Sequence, residues 1–330
     1  MKTKVFRIIS ILVLVLVLLV FGTAIAGAIA KSNLAKQYSA PGQLVDVGGY
    51  KMHINCVGQG SPTVILEAGT GDFSLIWAYV QPEVAKDTRV CSYDRAGFGW
   101  SEASPHPRTG NMMVEELHAL LVKADIQGPY VLVGHSLGGL LARVYTHNYP
   151  DEVAGLVLVD SAHEEIDIRL PESAAKANLD LASQLRIFSL LSSTGIMALV
   201  PQYIPNPGLP GDAFAQYQAI MATTTGLETS TAEINAGEKS YAEMRALHMA
   251  SFGDIPLIVL SRGHCDVVPL LSEAENQQSW EVWQEVQSEL AALSVDAKQI
   301  IAEKSGHYIQ LDQPDLVINA IHEMVDSLRE

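Results

Sequence analysis

Residues 130–150 read YVLVGHSLGGLLARVYTHNYP, and this stretch constrains the chain more than any other. Tyr130 to Val133 is a short apolar run of β-branched and aromatic residues, the pattern of a strand buried on both faces. From Leu137 onward, Leu140, Leu141, Val144 and Tyr145 recur at helical spacing, and the segment stops at Pro150. Between the two lies Gly134-His135-Ser136-Leu137-Gly138, a G-x-S-x-G match. A strand that turns abruptly into a helix holds its turn residue in a strained conformation, and small residues two before and two after leave room for the crossing backbones. The pattern predicts that Ser136 stands exposed at a strand end, above the free N–H groups and positive dipole end of the following helix.

The same alternation of elements runs through much of the chain. Gln43 to Gly58 alternates polar and apolar residues around Gly48-Gly49, which reads as an edge hairpin. Strands are expected at 63–66, 90–93, 130–133, 156–159, 255–260 and 299–302, those at 63–66, 130–133 and 156–159 buried, with helices between them. Strands alternating with helices imply a mostly parallel, doubly wound sheet covered on both faces, an α/β fold. Ligands of such sheets bind at the carboxyl ends of the strands. Thr70, Ser136, Asp160, Asp266 and His307 all fall just beyond expected strand ends.

From Ser161 to Gly253 the strands disappear. Helical segments are expected at 174–191, 213–222 and 232–250, with a Pro-rich break at 201–210. That length is too great for a loop in a compact domain, so it reads as a helical insertion. The expected organisation is an N-terminal segment 1–30, a core in two parts at 31–160 and 254–330, and the insertion at 161–253.

The N-terminal segment is a separate physical object. Lys2, Lys4 and Arg7 precede an uncharged run from Ile8 to Ala30, long enough to span a bilayer with its basic flank left in the cytoplasm. Ala28-Ile29-Ala30 also fits a cleavage site, so a transmembrane anchor and a cleaved signal peptide are both open, and the length of the run favours the anchor. Either reading exports the body, as a membrane-anchored or a secreted protein. The net formal charge of the chain is −16, although its first charged residues are all basic. So acidic a body argues against nucleic acid as a partner and against electrostatic docking on an anionic membrane.

Cys56, Cys91 and Cys265 show no C-x-x-C or Cys/His spacing, so no metal is expected. In an exported protein Cys56 and Cys91, on strands expected to be neighbours, could form a disulfide or remain two buried thiols.

The motifs GHSLGG at 134–139, SYDRAGFGWSE at 92–102, RGHCDVVP at 262–269 and SGHYIQLDQP at 305–314 resemble those of the α/β-hydrolase fold. The order nucleophile, acid, histidine agrees. The resemblance covers roughly residues 44–160 and 254–328. It implies Ser136 as nucleophile, His307 as general base and Asp266 as the acid that orients it. It also implies the N–H groups of Leu137 and Thr70 as oxyanion donors, although Ala68-Gly69 replaces the common His-Gly start of that loop. Asp160 is the competing acid, read here as a cap on local backbone. The insertion corresponds to a cap domain.

The implied activity is a serine esterase of the carboxylesterase or lipase type, acting on a small acyl substrate without a cofactor. An aminopeptidase or amidase of the same fold, or a silent ligand-binding relative, are the alternatives. Asp94-Arg95 reads as a loop tie and His135 as a packing residue. His163, beside Glu164 and Glu165, reads as a solvated entrance to the insertion. Trp77, Trp100, Trp280 and Trp283 read as packing residues.

Overall fold

A computed structural model describes residues 2–223 and 225–330, so Met1 and Thr224 lie outside the described residues. A long helix, α1 (Lys2–Gln37), precedes a sheet of eight strands. In chain order the strands are β1 (Gln43–Asp46), β2 (Lys51–Val57), β3 (Thr63–Glu67), β4 (Val90–Tyr93), β5 (Tyr130–His135), β6 (Val153–Val159), β7 (Leu257–Arg262) and β8 (Ala297–Ala302). Their spatial order is β1-β2-β4-β3-β5-β6-β7-β8. Strands β3 to β8 are mutually parallel, and β2 runs antiparallel to both β1 and β4.

The helices are α2 (Gln81–Val84), α3 (Gly110–Lys123), α4 (Leu137–Asn148), α5 (Ile166–Arg169), α6 (Glu172–Ser193), α7 (Ile196–Leu199), α8 (Gly211–Thr223), α9 (Gly226–Asn235), α10 (Gly237–Ala246), α11 (Glu273–Ala291), α12 (Ile309–Asp312) and α13 (Pro314–Ser327). The segment from α5 to α10 fills the interval between β6 and β7. Within it the expected helix 232–250 divides: α9 ends at Asn235 and α10 starts afresh at Gly237. Glycine is a poor helix interior residue, which suits it to this break.

Side chains of the central strands alternate between two cores. Leu132, Leu156, Leu158, Leu257 and Val259 face α3 and α4, where they meet Leu117, Leu121, Leu140 and Val144. Val131, Val133, Val157, Val159, Ile258 and Leu260 face the other way, onto Trp77, Val317, Ile321 and Met324. Because both faces are covered, these strands read as continuous apolar runs rather than alternating ones.

The hairpin β1–β2 turns through Asp46, whose carboxylate accepts from the N–H groups of Gly48 and Gly49 at 2.8 Å each. Cys56 and Cys91 are register partners across β2 and β4 and form a disulfide with a Cα–Cα distance of 4.0 Å. Cys265 is free.

Candidate active site

Ser136 sits between β5 and α4 at φ 53°, ψ −120°, a conformation that L residues adopt only when their surroundings impose it. The surroundings do. The Ser136 N–H donates to the Val159 carbonyl at 3.1 Å, and its own carbonyl accepts from Gly139 N at 3.0 Å and Ala162 N at 2.9 Å. A Cβ at position 138 would stand 2.4 Å from the Glu67 carbonyl oxygen, so the turn closes only with glycine there.

His307 follows β8. Its Nδ1 lies 2.6 Å from Asp160 Oδ2, so with an ionised carboxylate the proton is on Nδ1 and Nε2 carries the lone pair. Asp160 ends β6 at φ 44° and is fully buried. Its other oxygen, Oδ1, accepts from Arg262 N at 3.0 Å and from Trp283 Nε1 at 2.9 Å. Burial alone would raise this carboxyl, but the hydrogen bond and charge of His307, together with Arg262, outweigh it and hold the group below its ordinary value.

Asp266, the acid expected from the sequence, does not meet the imidazole. Its Oδ2 accepts from the backbone N–H of His307 at 3.1 Å and from Arg262 Nη1 at 3.0 Å, and its side chain is half exposed. Asp266 therefore fixes the main chain of His307, while Asp160 fixes its ring. The reason is placement: Asp160 directly follows β6 and is buried against the ring, whereas Asp266 lies further past its strand, β7, on a half-exposed turn.

Arg262 joins the two carboxylates, and its guanidinium lies over the rings of Trp283 and Trp280 at 4.4 and 5.7 Å. Trp280 and Trp283, read from the sequence as packing residues, both line the cavity, and the indole of Trp283 stands edge-on to His307 at 5.7 Å. Their helical spacing on α11 gave an inward face but not what that face meets. Trp77 is buried in the core and Trp100 packs on the ring of His53.

The loop 68–72 passes beside Ser136: a Cβ on Gly69 would lie 3.2 Å from the serine Cβ. Arg95 holds this loop. Its Nη1 and Nη2 donate to the carbonyls of Ala68 and Gly69 at 2.6 Å each, and it pairs with Glu67 and, from α9, with Glu233. Glu233 also accepts from Gly71 N at 3.3 Å, so the helical segment is tied directly to the loop. Asp94 braces the next turn through Ser74 N, Trp100 N and His53. Among the described residues, the N–H groups of Leu137 and Thr70 donate to no protein acceptor.

His135 is buried, and its Nε2 lies 2.9 Å from the His307 carbonyl. Burial, followed by the charge of His307, pushes its pKa down to about 3. His163 is also buried rather than solvated, and its Nδ1 accepts from Glu165 N at 3.1 Å. Asp72, which no local pattern distinguishes, is buried beside Thr70 and pushed up to about 6 by desolvation.

Ser136, Leu137, Thr70, Asp266 and His307 all line one cavity of about 960 Å³. Its roof is helical, with Leu179, Leu181 and Leu185 from α6 and Tyr241 from α10.

A sequence profile of the alpha/beta hydrolase fold matches residues 62–187. The probable transporter efuK of Hormonema carpetanum is 27% identical over 319 residues, covering 86% of this chain and 42% of that one. The Bacillus subtilis protein YbdG is 28% identical over 221 residues, covering 65% of this chain and 66% of its own length. The chain thus spans less than half of efuK and about two thirds of YbdG. Among solved structures, a thermophilic esterase from Thermogutta terrifontis superposes with a TM-score of 0.61 at 20% identity, covering 87% of this chain and 99% of that one. The strand order, the turn at Ser136 and these likenesses agree, and the chain has the α/β-hydrolase fold.

Proposed function

We propose that the protein is a serine hydrolase that cleaves carboxylic esters or thioesters through an acyl-enzyme on Ser136. The observation that carries this reading is the 2.6 Å contact between His307 Nδ1 and buried Asp160, at a cavity that Ser136 also lines. A serine hydroxyl is a weak nucleophile at neutral pH. In the proposed reaction His307 Nε2 takes its proton as Oγ attacks the acyl carbonyl, and Asp160 holds the tautomer and stabilises the imidazolium. The N–H groups of Leu137 and Thr70 receive the oxyanion, each worth a few kcal/mol in such sites. His307 then returns the proton to the leaving alcohol. Water, activated by the same imidazole, attacks the acyl-enzyme and releases the acid and Ser136.

In this reading the segment 161–253 is a cap that sets substrate choice, Asp266 positions the His307 backbone, and no cofactor takes part. The N-terminal helix anchors the protein, with the body outside the cytoplasm. Support for an anchor comes from the helix itself: an 18-residue window within Val5–Gln37 has a mean hydropathy of 3.1, and the helix is long and apolar enough to cross a bilayer. The disulfide between Cys56 and Cys91 fits an oxidising compartment.

Labelling with a fluorophosphonate tests the chemistry. An activated serine reacts and Ser136→Ala does not. Absence of labelling in the wild type would leave a ligand-binding protein. Turnover of a p-nitrophenyl ester series beside an aminopeptidase substrate separates esters from amides.

A further inference from the structure

α1 does not end where its apolar run ends. It continues as one helix to Gln37, and its last turns pack on the helical segment. A Cβ on Gly27 would lie 2.7 Å from the backbone of Gly195, and one on Gly195 would lie 2.7 Å from that of Gly27, so the two backbones touch. Beyond that contact Ala30 and Leu34 pack with Ala198, Ile204 and Ala222. The span and the turn between α6 and α7 are therefore joined side by side.

The contact fixes a depth. At 1.5 Å per residue, the helix from Ile8 to Gly27 covers about 30 Å, the thickness of a bilayer's hydrocarbon core. Gly195 thus lies at the level where α1 leaves the hydrocarbon. Around it α6, α7 and the turn after α7 present large apolar side chains outward: Ile187 at 64% exposure, Phe188 at 53%, Ile196 at 41% and Tyr203 at 76%. Soluble surfaces seldom gather such residues without a partner. The same helix contributes Leu179, Leu181 and Leu185 to the lining of the cavity of Ser136, and Phe188 follows Leu181 by seven residues and Leu185 by three, so the outward residues adjoin the cavity wall.

We propose that the outward face of α6 and α7 is a membrane-docking surface, seated in the headgroup–acyl boundary of the bilayer that α1 crosses, from which long-chain acyl substrates enter the cavity. The substrate clause rests on the hydrolase reading above. The occupant follows from continuity: the apolar face is an extension of the span, at the depth where the span emerges. The acidic charge of the body disfavours attraction to anionic lipid, so burial of apolar side chains supplies the docking and neutral lipid suffices.

The test uses the full chain reconstituted in phosphatidylcholine vesicles. The double variant Ile187→Asp/Phe188→Asp alters two exposed residues outside the cavity. Hydrolysis of a vesicle-embedded p-nitrophenyl palmitate should fall at least tenfold, while that of soluble p-nitrophenyl acetate stays within twofold of wild type. No difference between the two substrates overturns substrate entry from the bilayer. If wild type hydrolyses neither ester, the hydrolase reading fails, and the surface is read without activity. For that, an environment-sensitive fluorophore is placed at 188 (Phe188→Cys in a Cys265→Ser background). Nitroxide lipids should quench it strongly, and a label at Gln127→Cys, before β5, should stay unquenched. A label at 188 that is not quenched overturns the docking surface, and 188-to-188 cross-linking would then assign the face to a second copy of the chain.

Discussion

His307 Nδ1 and Asp160 Oδ2 lie 2.6 Å apart although their residues are separated by 147 positions. Asp160 is sealed from solvent and Asp266 is half exposed, so the two carboxylates beside this histidine have different work to do. Under the proposed mechanism, Asp160→Asn leaves the imidazole in the wrong tautomer, and kcat should fall about 10⁴-fold. Asp266→Asn keeps an acceptor for the His307 N–H and should cost less than about tenfold, given that a backbone hydrogen bond contributes about 1 kcal/mol. Steady-state kinetics on both variants, each checked for folding, decides the matter. The reverse ranking would return the orienting role to Asp266.

That pair also marks how far the sequence could be read. The turn at Ser136, the parallel sheet and the helical insertion follow from local patterns: apolar runs, helical spacing and glycines around one serine. His307 announces itself because it follows a strand and a glycine. The acid does not. Asp160 and Asp266 both lie past the ends of interior strands and both precede His307, and only the fold shows that Asp160 is buried against the ring while Asp266 reaches the main chain. Trp283 was legible as an inward residue of α11, but its bond to Asp160 spans 123 positions and has no local signature. Arg95 was legible as a loop tie because it sits in a glycine-rich turn. Glu233, which completes its pairing from α9, was not, since nothing near Glu233 distinguishes it from the other acids of the insertion.

The turn at Ser136 should tolerate no side chain at position 138. A methyl group there would meet the Glu67 carbonyl oxygen at 2.4 Å, and that oxygen belongs to the backbone of β3, which cannot rotate away. Gly138→Ala should therefore cost about 1–3 kcal/mol, the usual penalty of overpacking. It should also displace Ser136, which the same turn positions. Urea unfolding gives the first quantity and the rate of fluorophosphonate labelling the second. A variant with wild-type midpoint and labelling rate would contradict this account of the turn.

The disulfide joins β2 to β4 across 35 residues of chain. A link of that span restricts the unfolded chain, and native bridges of this kind typically contribute about 2–4 kcal/mol. Replacing both residues in Cys56→Ala/Cys91→Ala should lower the unfolding free energy by that amount. Fluorophosphonate labelling of the folded fraction should be unchanged, because the bridge lies at the hairpin side of the sheet, away from Ser136. Denaturant melts with and without reductant, on wild type and on the variant, separate the loss of the bridge from the loss of the buried side chains. Reductant should lower the wild-type midpoint and leave the variant's where it is.

His135 should make stability fall with acid in a predictable window. Its ring is buried between the loop at Gly69 and His307, and burial pushes its pKa from 6.5 down to about 3. Above pH 6.5 the group is neutral in both folded and unfolded chains and contributes no pH dependence. Below 6.5 the unfolded chain binds a proton that the folded protein refuses. Stability attributable to His135 is thus fully present above the unfolded value, and it drops by about 1.4 kcal/mol per pH unit until the folded pKa is reached. His135→Gln keeps an N–H able to donate to the His307 carbonyl, which His135 Nε2 faces at 2.9 Å, but it cannot titrate. Urea midpoints measured from pH 7.5 to 4.5 should show a shallower fall for the variant than for wild type, the difference in slope amounting to one proton. Parallel curves would mean that His135 is protonated in the folded protein, and with it the account of a neutral imidazole beside the site would fall.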